Sequence, residues 1–174
     1  RNKIMPIRIR LANESDIPFL DDVEQSAAKA FIGSSVGYVE SRTVPQDLLL
    51  KLCHSKTLWV AADDSNKPVG FVACYPLDGF LYVHEISVAQ EAQGQGIGRR
   101  LMNVVEDHAI DKDYPYIGLT TFRDIRWNGP FYKSLGYKEI APDLYSGLHN
   151  KFKDDIRKGH DPALRCVMVK VIVN

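Results

Sequence analysis

Gly94, Gly96 and Gly98 fall within five residues and are followed at once by Arg99 and Arg100, where VAQEAQGQGIGRRLMNVVEDH (residues 88–108) turns to helical periodicity. The chemistry such a turn can do is anion binding. Backbone N–H groups at a helix N-terminus converge on a phosphate, and glycine lets the ligand come close. Glycine gives up backbone entropy there, and an arginine beside the positive end of a helix dipole costs about 0.3–1 kcal/mol unless an anion occupies that end. Glu106 and Asp107, toward the other end, repeat the inversion. Two common phosphate sites are excluded by spacing. A nucleotide-hydrolase loop requires Gly-Lys-Ser/Thr where Gly98, Arg99 and Arg100 stand, and the dinucleotide fingerprint counted from Gly94 requires a small residue in place of Arg99.

The elements that must position this turn are legible on either side. Residues 79–88 (GFLYVHEISV) are rich in β-branched and aromatic side chains and predict a strand ending at Val88. Beyond the turn, Ile97, Leu101, Val105 and Ala109 recur at helical spacing and predict a helix over 98–110. Upstream, PIRIRLA (6–12) alternates as a strand does, and Ser15 or Asp16 can cap a helix running to about Phe31. A loop over 33–44 leads to a helix in PQDLLLKLCHS (45–55), then to strands in TLWVAAD (57–63) and KPVGFVACYPL (67–77). Short links make these two strands and 79–88 an antiparallel meander. Downstream come a strand (YIGLTTF, 116–122), a short helix closed by Gly136 (NGPFYKSLG, 128–136) and a strand opening at YKEI (137–140). A helix presenting Tyr145, Leu148, Phe152 and Ile156 follows, and LRCVMVKVIV (164–173) closes as a strand. The fold class is α/β (α+β), with a mostly antiparallel sheet carrying helices. With no repeat or linker-like stretch, one domain over 1–174 is expected; residues 1–4, ahead of Met5, are set aside as non-native or disordered.

Composition narrows the function. Lys+Arg 22 balance Asp+Glu 22, so the broad basic field that nucleic-acid or anionic-membrane binding needs is absent. Cys53, Cys74 and Cys166 are odd in number and far apart, which suits buried, reduced thiols in a cytoplasm and no metal site. No apolar run approaches the ~18 residues of a membrane span, and no signal-peptide core is present near the first residues.

Gln93-x-x-Gly96-x-Gly98, after a strand ending in Ser87-Val88 and before a helix, resembles the acyl-CoA-binding signature of the GCN5-related N-acetyltransferase (GNAT) superfamily. WNGPFYKSLGY, residues 127–137, resembles its second signature, and the order of elements is similar over nearly the whole chain. The resemblance implies a mixed, mostly antiparallel sheet of about six to seven strands, with strands four and five splayed for acyl-CoA. It implies that backbone groups of Ile86 and Val88, flanking Ser87, pair with the pantetheine arm. The N–H groups of Gly94, Gln95, Gly96, Ile97, Gly98 and Arg99 would hold the pyrophosphate, and Asn128 would contact the cofactor arm. Tyr132 would be the general acid for the departing thiolate.

Acetyl transfer to an amine also needs a base, because an amine of pKa ~10.4 is almost wholly protonated at neutral pH. His84 and Glu85 are the candidates, on opposite faces of their strand. Many members of the superfamily carry glutamate four residues before the position of Val88, where this chain has His84; Glu85 is favoured slightly because a carboxylate also attracts a cationic substrate. The phenol of Tyr132, with pKa near ~10, is protonated at working pH and able to donate. Asn128 can cap the short helix, Pro130 suits its first turn, and Phe131 reads as core. The acceptor side falls to the loop 31–45, with Ser34, Ser35, Tyr38 and Glu40, and to the segment 145–162. The expected activity is acetyl-CoA-dependent N-acetylation of a small-molecule amine by direct attack in a ternary complex. The alternatives are a protein or peptide N-acetyltransferase and a non-catalytic CoA-binding module. Expected partners are the amine and a second copy in a homodimer, with no nucleic acid, membrane or metal.

Overall fold

The computed structural model describes residues 5–34 and 43–173, so most of the loop read at 33–44, with Ser35, Tyr38 and Glu40, lies outside the described residues. The strands are β1 (Arg8–Leu11), β2 (Leu58–Ala62), β3 (Pro68–Leu77), β4 (Phe80–Val88), β5 (Tyr116–Phe122), β6 (Lys138–Ile140) and β7 (Arg165–Val171). The helices are α1 (Ile17–Ala28), α2 (Gln46–His54), α3 (Ile97–Asp111), α4 (Gly129–Ser134) and α5 (Ser146–Arg157). The strands form one mixed seven-stranded sheet in the order β1-β2-β3-β4-β5-β7-β6. The chain divides into two compact units, Arg1–Tyr75 with His84–Val105 and Pro76–Val83 with Glu106–Asn174.

In the first unit, β2 pairs antiparallel with β1 and with β3. All five residues of β2 are buried, which accounts for a run of apolar side chains without polar alternation. Ile17, Leu20 and Val23 on α1 and Leu49 and Leu52 on α2 pack with Leu58, Val60, Phe71 and Ala73. The expected cap at Ser15 or Asp16 does not form. The Asp16 carboxylate turns back to accept from the Asn13 N–H (2.7 Å) and the Arg10 guanidinium (2.7 and 2.9 Å). Burial would raise its pKa, but these hydrogen bonds outweigh it and hold the group below the ordinary carboxylate value.

In the second unit, β5 pairs antiparallel with β7, Leu119 facing Met168, and β6 flanks β7. Phe80–Tyr82 pair in parallel with Tyr116–Gly118, and among the described residues the β4–β5 ladder stops at Tyr82 and Gly118. Gly118 gives room to Leu148 of α5, whose Cδ2 lies 2.9 Å from where a Cβ would stand. Arg165 bonds Asp155 of α5 at 2.9 Å and stacks 4.6 Å from the Phe122 ring centroid, and Lys170 bonds Glu106 at 2.8 Å. Among the described residues no helix is long and apolar enough to cross a membrane.

Candidate active site

The glycine-rich turn is built as its composition requires. Gly94 and Gly96 adopt φ of +77° and +76°, a left-handed backbone that side-chain-bearing residues adopt at a cost, and nothing stands within 4 Å of where their Cβ atoms would be. The need for glycine here is conformational, and the space beside both residues is open. The Gln93 side-chain amide donates to the Val88 carbonyl at 2.9 Å, closing the loop onto the end of β4. One lone pair of a carbonyl expected to pair with a pantetheine arm is therefore already in use. Ile97 is buried and opens α3 one residue before the expected start, while Gly94, Gln95, Gly96 and Arg99 are exposed and Gly98 is half-buried. The two arginines divide: Arg100 donates to the Ile7 carbonyl at 3.0 Å, a fastening of the segment before β1, and Arg99 remains the arginine of the turn.

On β4, His84, Glu85 and Ile86 are half-buried and Ser87 is buried. Ser87 Oγ donates to Glu85 Oε1 at 3.0 Å, as two residues on one face of a strand can. His84, on the opposite face, meets the Tyr75 hydroxyl through Nδ1 at 3.1 Å, with ring centroids 5.4 Å apart. Glu24 of α1 was not anticipated. It is 6% exposed, on the helix face that also buries Leu20 and Val23, and its Oε1 accepts the Val44 N–H at 2.8 Å. Burial first, then the negative charges of Glu85 and Asp21, push its pKa up to about 8 against the relief of the Val44 hydrogen bond. A signal existed in the sequence: a glutamate in the apolar stripe begun by Ile17, Leu20 and Val23. Two residues on, Ser26 Oγ accepts the Gln90 N–H at 2.8 Å, tying α1 to the chain just beyond β4.

In the second unit, α4 carries Tyr132, 6% exposed, edge-on to Tyr137 with centroids 5.8 Å apart. The expected cap by the Asn128 side chain is absent. Its ψ of −108° lies outside the extended conformation an N-cap adopts, and the residue contributes its carbonyl, which accepts the Tyr132 N–H at 2.9 Å. Pro130 does occupy the first turn. Gly129 is required by close approach, since a Cβ there would fall 2.2 Å from the Arg123 carbonyl oxygen. Phe131 is half-buried, less enclosed than the core position expected, and Tyr132 is the buried ring of the pair. Cys74 and Cys166 are buried and Cys53 half-buried. Among the described residues no group of three His, Cys, Asp or Glu side chains is placed to hold a metal ion.

The acetyltransferase (GNAT) family profile matches residues 20–137, and the chain belongs to that family. An uncharacterized N-acetyltransferase of Archaeoglobus fulgidus is 26% identical over 133 residues, 70% of this chain and 88% of that protein. The N-acetylglutamate synthase of Neisseria gonorrhoeae, complexed with coenzyme A and N-acetyl-glutamate, has a similar fold with TM-score 0.74 and 16% identity, covering 99% of this chain. The match takes in 36% of that synthase chain, so this protein spans about a third of its length. The PaiA N-acetyltransferase of Thermoplasma acidophilum, in complex with coenzyme A, superposes with TM-score 0.72 and 17% identity over 96% of this chain and 99% of its own. The seven-stranded mixed sheet with its parallel β4–β5 pairing is the fold of this family, and the protein is an acyltransferase of the N-acetyltransferase kind.

Proposed function

We propose that this enzyme takes an acetyl group from acetyl-CoA and passes it to the amine of a small molecule by direct attack, without a covalent enzyme intermediate. The observation that carries the reading is the turn from Gly94 to Arg99, whose left-handed glycines leave open space ahead of the N-terminus of α3. Its N–H groups and Arg99 are suited to a pyrophosphate, and the backbone of Ile86, Ser87 and Val88 to the pantetheine arm, with Asn128 a further contact. In the transfer the amine nitrogen bonds to the thioester carbonyl carbon as the carbon–sulfur bond breaks. Glu85, directly or through water, or His84 takes the proton the nitrogen loses, and the Tyr132 phenol protonates the departing thiolate, giving an acetamide and free CoA. The cysteines support direct attack: burial raises the pKa of Cys74 strongly and that of Cys166 to about 11, leaving these thiols protonated and weakly nucleophilic. Residues 1–174 are taken as one catalytic domain, in a cytoplasmic setting consistent with neutral charge balance and unpaired cysteines.

The test is a screen of small-molecule amines and amine-bearing peptides with free-thiol detection, beside thermal melts with acetyl-CoA. Acetyl-CoA should raise the melting temperature, and at least one small amine should release thiol. No thermal shift removes the cofactor assignment, and turnover restricted to peptides replaces the acceptor class.

A further inference from the structure

Glu24 stands apart from the other buried side chains because no cation among the described residues neutralises it. It is a single carboxylate, more than nine-tenths buried on the apolar face of α1. Its one hydrogen bond is from the Val44 N–H to Oε1; among the described residues its second oxygen has no hydrogen-bond partner and no cation lies within ion-pair distance. The nearby charges that act on it are those of Glu85 and Asp21, both of its own sign. The Ser26–Gln90 hydrogen bond secures this stretch of α1 against the segment that follows β4. A buried carboxylate with an unused oxygen and, among the described residues, only like charges acting on it is unfavourable in its ionised form and becomes favourable when a cation arrives.

We propose that Glu24 receives the ammonium group of the acceptor, through the oxygen that Val44 leaves unused, and that it selects amines bearing no carboxylate beside the nitrogen. This rests on the acetyltransferase reading above and deepens it on the acceptor side. An α-amino acid would bring its own carboxylate toward Glu24 and Glu85, and like charges in a poorly hydrated site repel strongly. An alkylamine brings the cation alone. The high proton affinity of Glu24 in the empty protein is the same repulsion and desolvation that an ammonium ion would relieve.

The experiment uses two matched pairs of acceptors, phenethylamine against L-phenylalanine and 1,4-diaminobutane against L-ornithine, with wild type, Glu24→Gln and Glu24→Ala. Glu24→Gln keeps an oxygen for the Val44 N–H and removes the charge, so it separates recognition from holding the fold. Wild type should favour the carboxylate-free member of a pair at least tenfold in kcat/KM. Glu24→Gln should lose at least tenfold in kcat/KM for that amine, mostly through KM, and should narrow the preference, while its thermal shift with acetyl-CoA stays that of wild type. A Glu24→Gln enzyme with wild-type KM and selectivity overturns the proposal while leaving the acetyltransferase reading intact, as does a wild-type preference for the amino acids. An equal loss of acetyl-CoA affinity overturns it by making the role structural. Absence of turnover by wild type with every amine and peptide would remove the activity reading and this proposal together.

Discussion

Replacing Glu24 by glutamine should make the protein more stable at alkaline pH and nearly unchanged in acid. In the folded chain Glu24 holds its proton up to about pH 8, against 4.5 for an ordinary glutamate, chiefly because it is buried and then because Glu85 and Asp21 face it. A carboxyl whose pKa rises on folding favours the folded state while both states are protonated. The advantage is lost as pH climbs from 4.5, where the unfolded chain begins to ionise, to 8, where the folded chain follows. The full penalty above pH 8 is up to about 5 kcal/mol, taking 1.36 kcal/mol for each tenfold change in proton affinity. That is a large part of the ~5–15 kcal/mol by which a domain of this size is stable. Glutamine keeps the Val44 hydrogen bond and has no charge to bury.

Urea unfolding of both proteins at pH 4.5, 6, 7 and 8.5 measures the window. The midpoints should nearly coincide at pH 4.5 and separate progressively, glutamine the more stable, by up to about 2–5 M at pH 8.5 for slopes of ~1–3 kcal/mol/M. A separation independent of pH would refute the reasoning, because it would place the effect in packing rather than ionisation. The same measurement on Glu85→Gln checks the order of causes. Removing that charge should narrow the window from its alkaline end and leave most of it, since desolvation is the larger contribution.

Other expectations follow from the same geometry. Gly96→Ala forces a side chain into a left-handed conformation at a cost of ~1–2 kcal/mol, with open space and no clash; it should fold, melt a few degrees lower and lose most of the thermal shift with acetyl-CoA. Tyr132→Phe should keep its melting temperature within a few degrees and lose ~10²–10⁴-fold in kcat, and unchanged turnover across pH would remove the general-acid role. Arg99→Ala should weaken acetyl-CoA binding and flatten its salt dependence, whereas Arg100→Ala, which frees the Ile7 carbonyl, should act mainly on the melting temperature. Asp155→Ala leaves Arg165, with 11% of its side chain exposed, without its carboxylate and should destabilise by ~3–5 kcal/mol in urea unfolding.

Elements with a strong period were legible in the sequence: the helix carrying Ile97, Leu101, Val105 and Ala109 starts one residue earlier and ends one later than its periodicity predicts. What the sequence hid were side chains reaching across the chain. Asp16 and Asn128 have the residue types of helix caps, and capping statistics cannot see that Arg10 claims one carboxylate or that the backbone before α4 turns away from the extended conformation. Arg100 reads as a partner of Arg99 because the two are adjacent, yet its carbonyl acceptor lies 93 residues away. Local spacing specifies what a segment can do alone, and such contacts are settled by packing.

The ligand sites proposed at the Gly94 turn and at Glu24 rest on the same logic, local instability that a bound charge would reverse, and they differ in how early it can be read. At the turn the instability is written in consecutive residues: two left-handed glycines and an arginine at the wrong end of a helix, which an anion offsets. At Glu24 it needs the third dimension: the sequence shows a glutamate in an apolar stripe, and only the fold shows its burial and its like-charged neighbours. The proposed donor side lies in consecutive residues of one turn, so it leaves a motif. The proposed acceptor side rests on one side chain whose surroundings come from other elements, so its chemistry is found in the folded structure, as a carboxyl whose ionised form no cation among the described residues compensates.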